Sequence, residues 1–155
     1  MIKNFKWLLL VSLTFVACNT DDEDTTVVEV PVVAGSADFS KYVALGNSLT
    51  AGYSDNALFK AGQERAYPKL IADQFALAGG GAFTIPYTND NIGGLLLAGN
   101  VIAAPRLIFE NGAPTVLPNS IPTNEITTTL TGPFNNLGVP GAKSYHLLAA
   151  NYGNA

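Results

Sequence analysis

From Gly79 to Gly141 the chain spends 63 residues on ten Gly and seven Pro, and no other feature constrains its folding so strongly. Glycine raises the entropic cost of ordering the backbone and proline removes an N–H, so long helices and strands do not survive at that density. Only Asp90, Arg106, Glu110 and Glu125 are charged in the stretch, whereas free disorder carries more charge. It reads as irregular chain packed against something else, with Leu95-Leu96-Leu97 and Val101 to Phe109 as apolar anchors. Long regular elements belong to the sequence on either side.

Upstream, Tyr42-Val43-Ala44-Leu45 is a short continuous apolar run, which suits a strand buried on both faces of a parallel sheet. Pro68 to Ala78 predicts a helix, with Pro at its first position, Leu70, Ile71, Phe75 and Ala78 on one face, and Gly79-Gly80-Gly81 as its stop. The 155 residues suffice for one modest domain. Charged residues make up 13%, about half the usual share, the net charge is −4, and no Lys/Arg run interleaves with aromatics. Nucleic acid is therefore excluded as a partner class. A single cysteine forms no internal disulfide, and no Cys/His cluster has metal-ligand spacing.

The first residues read as an address. Lys3 and Lys6 precede an apolar run of 11 residues, Trp7 to Ala17. A bilayer takes about 20 residues to span, so this length fits a secretory signal segment instead. Phe15-Val16-Ala17-Cys18 looks like a bacterial lipobox, in which the chain is cut before the Cys and the Cys is lipidated; the other reading is an ordinary cleaved signal peptide with an incidental Cys. Residues 1–17 are then the signal peptide and residues 18–40 a tether. Four consecutive acids, Asp21-Asp22-Glu23-Asp24, repel one another beside the anchor, and a Thr-, Val- and Pro-rich stretch follows. The acidic run is either a solvated spacer or a signal similar to the one that sends some outer-membrane lipoproteins to the cell surface.

From residue 41 the domain begins. The strand at 42–45 runs into Gly46-Asn47-Ser48-Leu49-Thr50-Ala51-Gly52, so Ser48 falls at the carboxyl edge of the sheet, where ligands bind in open α/β folds. Gly46 removes a side chain before the turn and Gly52 permits a close backbone approach. The pattern is not the G-x-S-x-G elbow, since Thr50 stands two residues after Ser48. It resembles the first block of the SGNH (GDSL) hydrolases, Gly-Asp-Ser-Leu followed by Ser/Thr-x-Gly, with Asn47 in place of Asp. Asn136-Leu137-Gly138-Val139-Pro140-Gly141 resembles that family's second block, Asn-x-Gly/Ser-x-x-Gly.

The resemblance implies a three-layer α/β/α domain with a parallel sheet, in which residues 79–135 are an insertion acting as a lid or substrate wall, or as structural padding. It implies ester hydrolysis through an acyl-Ser48 intermediate, with the N–H groups of Ser48 and Gly141 forming the oxyanion hole. The ester would come from a lipid, a short-chain acid or an acetylated glycan, and the resemblance implies no metal or organic cofactor. The family's later Gly-x-Asn-Asp and Asp-x-x-His blocks are not in this sequence. Asn89-Asp90 lacks the leading Gly, and His146 has Lys143 where the Asp belongs. His146 is instead expected on a helix beginning near Lys143, with Leu147 and Leu148 on its buried side. The sequence therefore reads as the first part of a longer hydrolase. Loss of the base in a comparable triad costs about 10⁶ in turnover, so activity would reside in the longer parent. The rival reading is a surface-anchored binding lipoprotein on a degenerate hydrolase scaffold.

Overall fold

The strand expected at 42–45 forms as β1, Ala44–Gly46, and pairs in parallel with β6, Asn136–Gly138, in a computed structural model that describes residues 30–150. The signal segment, Cys18 and the acidic run lie outside the described residues. Between the two strands come α1 (Ser48–Ala51), α2 (Lys60–Glu64), α3 (Tyr67–Leu77), β2 (Leu95–Leu97), β3 (Asn100–Ala103), β4 (Leu107–Glu110) and β5 (Ala113–Val116). A 3₁₀ turn at Ser144–Leu148 follows β6. The result is a small α/β fold with short parallel and antiparallel strands and no closed barrel.

Helix α3 begins one residue before the predicted Pro68, with that Pro in its first turn, and Gly80 N–H closes its end onto the Phe75 carbonyl at 2.8 Å. Its inward stripe is the buried Pro68 and Ala72 with the half-buried Phe75, spaced four and three residues apart. Phe75 stacks on Phe39 at 4.4 Å and meets the edge of Tyr42 at 5.2 Å, and Tyr42 in turn stacks on Phe83. Leu70, expected on the buried face, is 55% exposed, and Ile71 is also exposed. Leu70 stands two residues after Pro68, about 200° around the helix, so the stripe that takes Pro68 and Ala72 inward turns Leu70 outward.

Strand β1 is covered on one face only, which corrects the expectation of burial on both. Ala44 and Asn136 face inward, whereas Val43, Leu45, Leu137 and Val139 are exposed. Alternation along paired strands puts these four side chains on the same face, and nothing among the described residues covers it.

The Gly/Pro-rich stretch has no long element among the described residues, only short strands. It contains two antiparallel hairpins, β2–β3 and β4–β5. Their turns, Ala98-Gly99 and Asn111-Gly112, have positive φ at both positions, the type I′ geometry whose twist matches the strands. Its anchors also differ from those expected. Leu95, Leu97, Val101, Ile102 and Phe109 are exposed, Phe109 by 77%, while Gly93, Gly94, Ile85, Pro105 and Pro122 are buried. Isolated two-stranded hairpins have no second layer against which to bury alternate side chains. Polar bonds hold the stretch instead. Lys60 N–H donates to the Asp90 carbonyl at 2.9 Å, Leu107 N–H to the Asp55 carbonyl at 2.7 Å, and Ala61 N–H to Asn91 Oδ1 at 2.7 Å. At its base, Thr84 N–H donates to Asn135 Oδ1 at 3.0 Å and Asn135 N–H returns to the Thr84 carbonyl at 2.8 Å.

Candidate active site

Ser48 is the first residue of α1, directly after β1, and is half-buried. Asn47 precedes it as N-cap, with Oδ1 accepting from Leu49 N–H at 3.3 Å. Asn and Asp cap helices about equally well, so Asn47 fills the local role that Asp would have there. Tyr53 N–H donates to the Ser48 carbonyl at 2.9 Å, and Gly52, at φ +85°, caps the helix. A Cβ on Gly52 would stand 2.6 Å from Gln63 Cα, so the close approach expected there is one of α1 to α2. Gly46 leaves room for Thr50, whose Oγ1 lies 2.8 Å from the Tyr67 hydroxyl.

The second block grips the first. Asn136 is 2% exposed; its Nδ2 donates to the Thr50 carbonyl at 2.8 Å and its Oδ1 accepts from Gly138 N–H at 3.0 Å. Val139 N–H continues the pairing onto the Gly46 carbonyl at 3.0 Å. A methyl at Gly138 would collide with the backbone N of Ala51, so this glycine is set by the approach of β6 to α1. Gly46 and Gly138 are register partners in a parallel pair, and therefore Ser48 and Gly141 both follow the carboxyl ends of neighbouring strands.

Gly141 has φ +80° and follows Pro140 in the turn closed by Ala142 N–H onto the Val139 carbonyl at 2.9 Å, the type II pattern. The Gly141 N–H takes no part in that bond, and no atom lies within 4 Å of where its Cβ would stand. The Gly138 N–H, by contrast, is engaged by Asn136. A cavity of about 260 Å³ lies between Leu45, Gly46 and Asn47 on one side and Ala142, Lys143 and Leu147 on the other. Ser48 and Gly141 each adjoin a lining residue in sequence, and neither lines the cavity itself. A larger cavity of about 640 Å³ runs from Leu49 and Tyr53 to Asn91 and Arg106 of the hairpin region.

The remaining sequence candidates have structural work. His146 lies in the 3₁₀ turn, where its Nδ1 accepts from Lys143 N–H at 3.2 Å and its ring meets Tyr145 at 4.5 Å. Leu147 and Leu148 are exposed rather than buried, because a five-residue 3₁₀ turn offers no broad apolar face. Asn89 donates to the Thr123 carbonyl at 2.7 Å, and Asp90 accepts from Ile92 N–H at 2.7 Å and from the Thr123 hydroxyl at 2.5 Å. Among the described residues no group of His, Cys, Asp and Glu could hold a metal ion, and no helix is long and apolar enough to cross a membrane.

Sequence reasoning missed Gln63, which is 1% exposed; its Nε2 donates to the Pro86 carbonyl at 2.8 Å and its Oε1 accepts from Thr88 N–H and hydroxyl at 2.9 and 3.0 Å. A Gln between Gly62 and Glu64 carries no signal of burial. The β4–β5 hairpin did carry one, since Asn111-Gly112 between apolar runs is a strong short-range turn signature. Compared with family models, with curated proteins and with solved structures, the chain matches none of them.

Proposed function

We propose that this chain carries the nucleophile-bearing part of a serine ester hydrolase of the SGNH type, anchored by lipid at Cys18 in the cell envelope, on the outer membrane. The observation that carries the reading is the parallel pairing of β1 with β6 in the register Gly46 to Gly138. It brings two blocks 92 positions apart to one sheet edge, and that edge is where open α/β folds bind ligands. The parent domain on this reading has helices on both sides of a larger parallel sheet, and the exposed Val43, Leu45, Leu137 and Val139 belong to the face that a second layer would cover.

In the proposed reaction, Ser48 Oγ adds to the ester carbonyl as its proton passes to a general base. The developing oxyanion accepts from the N–H groups of Ser48 and Gly141. Such a donor contributes about 3 kcal/mol to transition-state stabilisation when aimed at developing charge. The protonated base then gives its proton to the leaving alcohol, and water releases the acid from acyl-Ser48. On this reading the base is the His of an Asp-x-x-His block, with its Asp as partner, and these 155 residues do not contain that block. No metal or organic cofactor enters the scheme.

The test is a fluorophosphonate probe on the longer form. Ser48 should label, and Ser48→Ala should abolish both labelling and esterase activity; retained activity in Ser48→Ala overturns the assignment and leaves a binding lipoprotein as the reading. The anchor is tested separately with a fatty-acid analogue, which should tag the wild type and not Cys18→Ser.

A further inference from the structure

We infer that the cavity of about 640 Å³ beside α1 is a subsite for ligands that carry an oxyanion, carboxylate or phosphate, on an apolar body. The size is that of small-molecule sites. Its walls join Leu49, Phe59 and Tyr67 to two cationic side chains, Arg65 and Arg106. Arg106 is half-buried and held in place: Nε donates to the Asn91 carbonyl at 2.8 Å, and the guanidinium lies 5.1 Å from the centre of the Phe59 ring. Those contacts leave most of its Nη donors unspent, apart from a long 3.5 Å bond to the Leu107 carbonyl.

No carboxylate of a described residue lies within 4.0 Å of either arginine; the ion pair among the described residues joins Lys69 to Asp73. Asp55 is the third charged residue on the wall, and it pairs with neither, so the cavity carries a net positive charge. A fixed, partly desolvated guanidinium without a counter-ion is an unmet demand for an anion, and its planar fork matches carboxylate and phosphate oxygens. Backbone carbonyls hold the side chain in position without neutralising it. The apolar wall then takes the body of the ligand.

Leu49 follows Ser48 directly, so the cavity adjoins the proposed nucleophile. Resting on the hydrolase reading, the substrate class becomes an ester whose acid or alcohol part bears the anion. The anion could be that of a small organic acid or of a lipid headgroup, and the chemistry recognised is the same.

Binding to the full chain tests this without turnover. Calorimetry or NMR titration should show 4-phenylbutyrate binding at least tenfold more tightly than 4-phenylbutyramide, with affinity falling as salt is raised. Arg65→Gln and Arg106→Gln should each weaken it at least fivefold. Arg65 is exposed, so its variant retains the fold; should Arg106→Gln unfold, Arg106→Lys keeps the charge and loses the fork, and it should still weaken binding. Hexyl phosphate binding as phenylbutyrate does identifies a small soluble anion, whereas binding confined to vesicles containing phosphatidate identifies a headgroup. Equal binding of acid and amide, or unchanged affinity in folded arginine variants, overturns the subsite. Fluorophosphonate labelling of Ser48 in the longer form is scored separately, so a labelled Ser48 with no anion binding sinks the subsite alone.

Discussion

The side-chain amide of Asn136 donates to the backbone carbonyl of Thr50, so the second block holds the helix on which Ser48 begins. Asn136→Leu should leave that carbonyl and the Gly138 N–H without partners in a buried site, at a cost of about 2–4 kcal/mol. Asn136→Asp keeps the acceptor and loses the donor; it should be as damaging at neutral pH and regain part of the loss when acid restores an O–H. Urea unfolding of the full chain checks both. A midpoint unchanged by either variant would mean the two blocks are held together by something else.

Gly138 and Gly141 separate stability from chemistry. An added methyl at Gly138 meets the backbone of α1, including the Thr50 carbonyl carbon at 2.6 Å, and Gly138→Ala should cost at least about 2 kcal/mol. At Gly141 the space is open and only the positive φ opposes a side chain, so Gly141→Ala should cost about 1 kcal/mol. In the longer form the same variant should lower kcat by roughly 10²–10³ with little change in KM, because the donor acts on charge that develops in the transition state. A folded Gly141→Ala enzyme with normal kcat would reduce this residue to a turn glycine.

Gln63 ties α2 to residues 86–88 through three hydrogen bonds. Gln63→Leu fills similar space but strands the Thr88 N–H and the Pro86 carbonyl, and about 2–4 kcal/mol should be lost. Hydrogen exchange should accelerate first at Thr88 and at Lys60, whose amide bonds to Asp90 nearby. Uniform acceleration across β1 and β6 as well would show that Gln63 supports the whole fold.

Glu125 gives the hairpin β2–β3 a pH dependence. Its carboxylate accepts from Gly99 N–H at 3.0 Å, from Ala98 N–H at 3.2 Å and from Thr127, and the Gly99 bond is the chief reason its pKa is held below the ordinary value. A lowered folded value means that the stabilisation is complete above the unfolded value of about 4.3 and drains away as pH falls through the folded one. Amide exchange at Ala98 and Gly99, corrected for intrinsic rates, should therefore quicken as pH is lowered beneath the unfolded value of about 4.3. Glu125→Gln should remove that dependence.

How far the sequence went depends on whether a residue's fate was decided locally. The apolar run ending at Gly46 and the Pro68 start with its Gly79-Gly80 stop are local signals, and β1 and α3 form within a residue or two of them. The pairing that sets the Ser48 block beside the Asn136 block had no signal in periodicity, and only the resemblance of the two blocks linked them. Which leucines are buried was not legible. Leu70 and Phe109 are as apolar as any core residue, and their exposure depends on which neighbours pack beside Pro68 and on the hairpins having no second layer. Gln63 and Asn136 were opaque for the opposite reason: polar side chains are buried where distant backbone groups need partners, and those partners lie 23 and 86 positions away.

The bonds between Thr84 and Asn135 have a consequence for how such a chain could diversify. They close a loop whose two ends are fixed, and doubling the length between fixed ends costs only about 0.6 kcal/mol. Insertions at the hairpin turns Ala98-Gly99 and Asn111-Gly112 can therefore be absorbed while Asn135 and Asn136 go on holding the strand pair beneath the turn that carries Ser48. Of the two arginines on the cavity wall, Arg106 lies within this loop, whereas Arg65, like Ser48 and Gly141, lies outside it. Length at the hairpin tips can thus change without touching the residues that join β1 to β6.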